Sequence, residues 1–283
     1  MARGWWSGLI GVIIFSGSLP ATRLAVAGFS PLFLTSARAV IAALLGACLL
    51  RLMPQKRPAV TDVVPLVVVA AGVVIGFPLL TALALQHITA ARSVVFIGLL
   101  PLATALFGVV RGGERPRAAF WLFSLAGAGT VVGFAIGNGV STSVAGDMLM
   151  IGAVLLCGLG YAEGARLSRR LGGWQVISWA LLVALLPMAA IATATRPEAL
   201  SPIGVEAWAG LAYVSVFSML IGFVFWYRGL ALGGIAAVGQ LQLLQPFFGL
   251  ALAALIVGDH VSWTMIAATG FVVVCVAGAR RFA

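Results

Sequence analysis

Long apolar runs separated by short polar punctuation dominate the chain. Ten runs are bounded by charges or by Gly, Pro or Asn clusters: 5–22, 31–52, 63–85, 89–110 and 118–137, then 147–168, 174–194, 207–228, 235–257 and 263–279. Each is about 20 residues long, the length a helix rising about 1.5 Å per residue needs to cross a hydrocarbon core of roughly 30 Å. The two-residue alternation of barrel strands is absent. The pattern predicts an all-α integral membrane protein with ten transmembrane helices. Very short turns join spans three and four, and spans eight and nine, so a nine-span or eight-span count is the competing parse.

The pattern also recurs. A shift of 145 residues carries Pro101 onto Pro246, Gly113 onto Gly258 and Glu114 onto Asp259. Upstream the shift is 147, matching Leu83-Ala84-Leu85 to Leu230-Ala231-Leu232 and Ile88 to Ile235. The chain therefore reads as a duplicated unit, residues 1–140 and 141–283. Five spans per unit is an odd number, so the second copy enters the membrane from the opposite face and the halves are inverted repeats. Such proteins commonly bind substrate near the midplane, where the repeats meet. The segment from Trp5 to Phe15 resembles a secretory leader, but Gly4–Arg23 has a weak counterpart in Gly146–Arg166, so no cleaved leader is expected.

Charge sets the orientation. With a cytoplasmic N terminus, thirteen basic residues fall on the cytoplasmic side, among them Arg111, Arg166, Arg169, Arg170, Arg280 and Arg281. Three fall outside, Arg23, Arg92 and Arg196, and Arg38 lies within a span. The positive-inside rule then predicts both termini in the cytoplasm, and the membrane is the cytoplasmic (inner) one if the source is a prokaryote. Net charge +10 would suggest nucleic acid in a soluble chain, but here it sits in loops between spans, and no nucleic-acid partner is expected. A composition of 62% hydrophobic and 8% charged residues, with mean hydropathy +1.15, excludes a soluble domain with a polar surface. Cys48, Cys157 and Cys275 lack metal-ligand spacing and read as small buried hydrophobes.

The Pro101 with Gly113-Glu114 and Pro246 with Gly258-Asp259 pairs resemble the EamA-type branch of the drug/metabolite transporter superfamily over essentially the whole chain. Arg38 resembles an arginine often found in the second helix of that family. The first helix departs from the pattern: Trp-Gly-Ser-Asn is frequent there, and this chain has Phe15-Ser16-Gly17-Ser18 followed by Pro20. The resemblance implies ten helices in two inverted five-helix repeats and secondary transport of small organic solutes, frequently export of amino acids or related metabolites.

Polar residues inside spans must find partners or face water, which makes them site candidates. Arg38 lies about 10 Å from the outer end of its helix, where an unpaired arginine costs on the order of 3 kcal/mol. It serves either as an anchor on neighbouring carbonyls, the preferred role, or as a cavity cation. Arg92, with Ser93 and Phe96, either snorkels or lines an outer vestibule for a carboxylate. Gln242 and Gln245 are separated by about 60° on an α-helix and are assigned to the cavity, whereas Gln240 points away and is assigned to packing. Ser16, Ser18, Thr81, Tyr161 and Trp226 complete the candidate cavity set. Glu163 is expected to pair with Arg166 one turn on. Pro20, Pro78, Pro101, Pro187 and Pro246 are hinge candidates or sites of static curvature.

Absent motifs narrow the function. No GxxxxGK[ST] loop holds ATP, and neither HExxH nor GxSxG is present, so neither an enzyme nor a bound cofactor or metal is expected. The leading expectation is a secondary transporter working by alternating access on a small-molecule substrate in the lipid bilayer. The alternatives are a non-transporting membrane scaffold or subunit and, within transport, a sugar-phosphate or nucleotide-sugar exchanger. That exchanger should carry several midplane Lys or Arg residues, and only Arg38 approaches this.

Overall fold

The computed structural model describes residues 2–84, 86–88, 93, 96–136, 143–199, 201–257 and 263–283. Among them every regular element is helical. The chain opens with α1 (Ala2–Ser16) and α2 (Ser18–Ala25), which break at Gly17, and continues through α3 (Pro31–Leu52). Ser30 caps α3 by accepting from the Phe33 amide at 3.3 Å, with Pro31 in the first turn, where its missing N–H leaves no bond unmade. Next come α4 (Val63–Val69), a π segment (Ala70–Gly76) and α5 (Phe77–Ala84). Helices α6 (Leu100–Gly112) and α7 (Ala118–Ile136) complete the first half.

The second half begins with α8 (Val144–Leu171), capped by Ser143 and carrying Asp147 in its first turn and Arg169 and Arg170 in its last, as the helix dipole favours. After α9 (Gly173–Ala194) come α10 (Val205–Tyr213), a second π segment (Val214–Ile221) and α11 (Gly222–Gly233). Then α12 (Ile235–Gly239) runs through a 3-10 segment (Gln240–Leu244) into α13 (Gln245–Val257), and α14 (Trp263–Phe282) follows.

Among the described residues, six helical stretches are long and apolar enough to cross a membrane: Arg3–Ala25, Pro31–Leu52, Val60–Ala84, Val144–Leu171, Gly173–Ala194 and Val205–Gly233. Within their described residues, the expected spans 89–110 and 235–257 are interrupted. Leu99 bonds back to the Phe96 carbonyl three residues earlier, ahead of α6, and the 3-10 segment interrupts the later span. Large apolar side chains face outward, Leu122 at 70% and Leu186 at 80% exposed, as lipid-facing positions do.

Helix packing is matched between the halves. The first span, through α1, lies along α11, and its counterpart α8 lies along α5; α3 packs on α9, and α7 packs on α14. The two π segments are related by the same shift of about 145 residues. Pro78 follows the first and no proline follows the second, so the π geometry does not depend on proline. The chain reverses at Gly234, whose φ of 93° is open to glycine without strain. A Cβ at Gly8 would meet Val238, and one at Gly229 would stand 2.6 Å from the Gly8 nitrogen. Helix α1 therefore touches both arms of the turn, which shows α11 and α12 to be separate helices. Both termini lie at this end of the bundle, where the Arg117 amide donates to the Phe282 carbonyl at 2.9 Å.

The hinge candidates take a specific form. Pro78, Pro101 and Pro246 are second residues of helical segments, and Pro20 is third in α2. Each stands in the first turn of its segment, where the missing proline N–H is least costly; Pro78 sits where the π segment runs on directly into α5. Pro187 lies inside α9. Cys157 and Cys275 are buried, but Cys48 is exposed on α3, which corrects the expectation of three buried thiols. The face of α3 against α9 runs through Ala39, Ala42, Ala43 and Gly46, and Cys48 lies off it.

Candidate functional site

The centre of the molecule is aromatic. Tyr161 on α8 packs edge-on to Trp226 on α11 with centroids 5.4 Å apart, and Phe223 lies 6.0 Å from Tyr161. Phe15 on α1 closes the group, 5.1 Å from Phe223 and 6.2 Å from Trp226. Tyr227 donates to the Gly160 carbonyl at 3.2 Å, tying α11 to α8. Into this cluster the Gln242 amide donates to the Tyr161 hydroxyl at 3.2 Å.

The 3-10 segment explains how Gln242 reaches it. Pro246 has no N–H for the Gln242 carbonyl, and the Gln245 amide takes that carbonyl in a tighter bond three residues on. At about three residues per turn, positions three apart eclipse, so the 60° separation expected of an α-helix does not describe this stretch. Gln245, which is half-buried, donates to the Phe15 carbonyl at 3.5 Å. Gln240 is wholly buried, and neither end of its amide has a partner among the described residues.

Several further polar atoms are buried without a partner among the described residues: Trp226 Nε1, Gln242 Oε1, Thr81 Oγ1 and Arg38 Nε. The rest of the Arg38 guanidinium makes no ion pair there either, and no bond from it to a neighbouring carbonyl is seen among the described residues. Unsatisfied buried groups are costly, and a native fold carrying several invites a partner of another kind, such as water or a solute.

The remaining candidates divide. Ser16 bonds its own helix at the Val12 carbonyl, 2.7 Å away, and Ser18 meets Ser218 of the second π segment at 2.8 Å. Ser93 is buried, and Phe96 packs partly buried against the Ile97 and Met150 cluster. Arg92 lies outside the described residues, as do Gly258, Asp259 and His260.

Reading the sequence missed a charged cluster at the end that carries both termini. Glu163 is 1% exposed and pairs with Arg111 of α6 as well as with Arg166, whose guanidinium stands 2.9 Å away. Only the Arg166 contact had a local signal, because Arg111 is 52 positions distant. Glu114 accepts from the Ile235 and Ala236 amides at 2.6 and 2.7 Å and pairs with Arg169 at 3.4 Å. Asp62 pairs with Arg170. The last two turns of α8 thus hold three carboxylates, two of them contributed by the first half.

Apolar helices with outward-facing Leu and Val, matched between two halves around a buried polar and aromatic centre, define a multi-pass membrane protein. The model of the EamA-like transporter family matches residues 2–136 and again 144–280. A Bacillus subtilis (strain 168) protein named Uncharacterized transporter YdeK is 64% identical over 281 residues, covering 99% of this chain and 98% of its own. A Streptantibioticus cattleyicolor protein named Probable terminal-alkyne amino-acid exporter is 22% identical over 256 residues, covering 87% and 83%. A crystal structure at 21% identity superposes with a TM-score of 0.83 over 99% of both chains, which shows the shared fold. The chain belongs to the EamA-like transporter family, in the drug/metabolite transporter superfamily. It is a membrane transporter.

Proposed function

We propose that the chain is a secondary transporter that exports small organic solutes, amino acids or related metabolites, by alternating access between two inverted five-helix repeats, residues 1–140 and 141–283. Both termini are cytoplasmic, at the end where the α8 arginines gather, and the membrane is the cytoplasmic one. The observation that carries the reading is the paired interruption of the helices. Each half has a π segment and a proline-led restart at equivalent positions, and broken helices at the repeat interface are where such transporters hold substrate.

The solute site lies between Arg38, Thr81, Tyr161, Trp226, Gln242 and Gln245. Arg38 supplies the charge for a carboxylate, and Trp226 Nε1 and Gln242 Oε1 supply one donor and one acceptor. A relative at 22% identity named as an amino-acid exporter supports the solute class. The test is counterflow in proteoliposomes against an amino-acid panel, with and without a pH gradient. Saturable exchange of a carboxylate-bearing solute is expected, and its absence across the panel sinks the proposal. A response to the gradient distinguishes proton exchange from facilitated movement.

A further inference from the structure

A groove of about 400 Å³ lies between α1, the 3-10 segment and α14, and neither Arg38 nor any residue of the aromatic centre lines it. Its walls are apolar, with Leu9, Leu241, Leu244 and Val273 along its length. Its upper end is built differently. The Arg280 guanidinium lies 4.4 Å over the Trp5 ring, and Trp6, 67% exposed, also lines the groove. No carboxylate pairs with Arg280 among the described residues, and the lining contains no acidic side chain. Arg281 and Arg3 are exposed nearby in sequence.

The flanks face the bilayer. Ile10 and Ile13 of α1 and Phe271 and Val274 of α14 are 41–60% exposed. Seven residues of helix separate Arg280 from Val273, about 10 Å of depth. A ligand filling the groove must therefore be amphipathic, with an anion at the Arg280 end and a chain running about 10 Å into hydrocarbon. Tryptophan at the interface and a snorkelling arginine are the pair that holds such a molecule at headgroup depth.

We propose that this groove is a binding site for an anionic phospholipid, its phosphate on Arg280 and one acyl chain along Leu9, Leu241 and Val273. The lipid packs against the outer side of the 3-10 segment that presents Gln242 to Tyr161. The site joins the two halves of the chain, since α1 belongs to the first and the other two walls to the second.

The full-length protein, purified in detergent, is titrated with phosphatidylglycerol or phosphatidylcholine of the same acyl chains, and retained lipid is counted by native mass spectrometry. Phosphatidylglycerol is retained in preference, and Arg280→Gln lowers its retention about fivefold, as loss of one interfacial cation implies. Arg281→Gln leaves most of it. Ala277→Trp, which fills the groove and keeps the charge, removes both lipids and reports even where Arg280→Gln fails to fold. Equal retention of the two lipids overturns the proposal, as does a preference that survives Arg280→Gln. Displacement of phosphatidylglycerol by inorganic phosphate also overturns it, by showing a site for a free anion.

Discussion

The carboxylate of Glu114, in the loop after α6, closes over the first turn of α12, accepting from the Ile235 amide at 2.6 Å and the Ala236 amide at 2.7 Å. A side chain of the first half thereby caps a helix of the second, supplying acceptors that the helix cannot make for itself. Negative charge at a helix N terminus adds to the hydrogen bonds. Glu114→Ala is expected to destabilise the protein by about 1–2 kcal/mol, with Glu114→Gln intermediate. Thermal unfolding in detergent checks this, and an unchanged melting point for Glu114→Ala contradicts the capping role.

Glu163 predicts an asymmetry. Its carboxylate is buried beneath Arg111 and Arg166, whose side chains are 48% and 42% exposed. Glu163→Gln leaves two cations that can take up water, so its cost is modest. The double variant Arg111→Gln with Arg166→Gln leaves a buried, unpaired carboxylate and is expected to cost about 3–5 kcal/mol. The same melting experiment ranks them, and a reversed order refutes the argument.

Arg38 predicts the opposite combination. Because its guanidinium forms no ion pair among the described residues, Arg38→Gln should leave the melting point level or raised. Exchange of carboxylate-bearing solutes should fall at least tenfold, the order expected for loss of one charge-assisted bond of about 1.5–3 kcal/mol. A loss of stability with transport intact would return Arg38 to the role of an anchor.

Tyr161→Phe removes the one partner that the Gln242 amide nitrogen has among the described residues, where the amide oxygen already lacks one. A fully unpartnered buried amide costs about 1–3 kcal/mol. Counterflow should show a raised KM with expression preserved. An unchanged KM excludes Gln242 and Tyr161 from the solute site.

Gly234→Ala tests the reversal between α11 and α12. At φ 93° and ψ 142° a Cβ is strained, at a cost of about 1–3 kcal/mol. The variant should lose folded protein on gel filtration. Gly113→Ala, at φ 69° in the left-handed helical region, should lose less.

Much of this was legible in the linear chain, because a membrane span is a local property. Twenty apolar residues in a row need no tertiary partner to declare themselves, and the repeat of Pro101 and Gly113-Glu114 at Pro246 announces two matched units. The prolines also marked the breaks, since a missing N–H is a local fact. Even Glu163 with Arg166 could be read from helical spacing.

What only the tertiary structure decided has reach in common. Arg111 meets Glu163 across 52 positions and Glu114 meets Ile235 across 121, distances at which neither periodicity nor motif carries information. The turn of Gln242 toward Tyr161 depends on a change of helix type from 3.6 to 3.0 residues per turn, which shifts side-chain direction without altering any pattern of apolar positions. The sequence by itself determined that the chain spans the membrane and that its proline and Gly-acid pattern recurs. Packing determined which of its few polar groups find protein partners, as Glu114 does in Arg169 and Glu163 does in Arg111, and which, like Arg38 Nε, are left without one among the described residues.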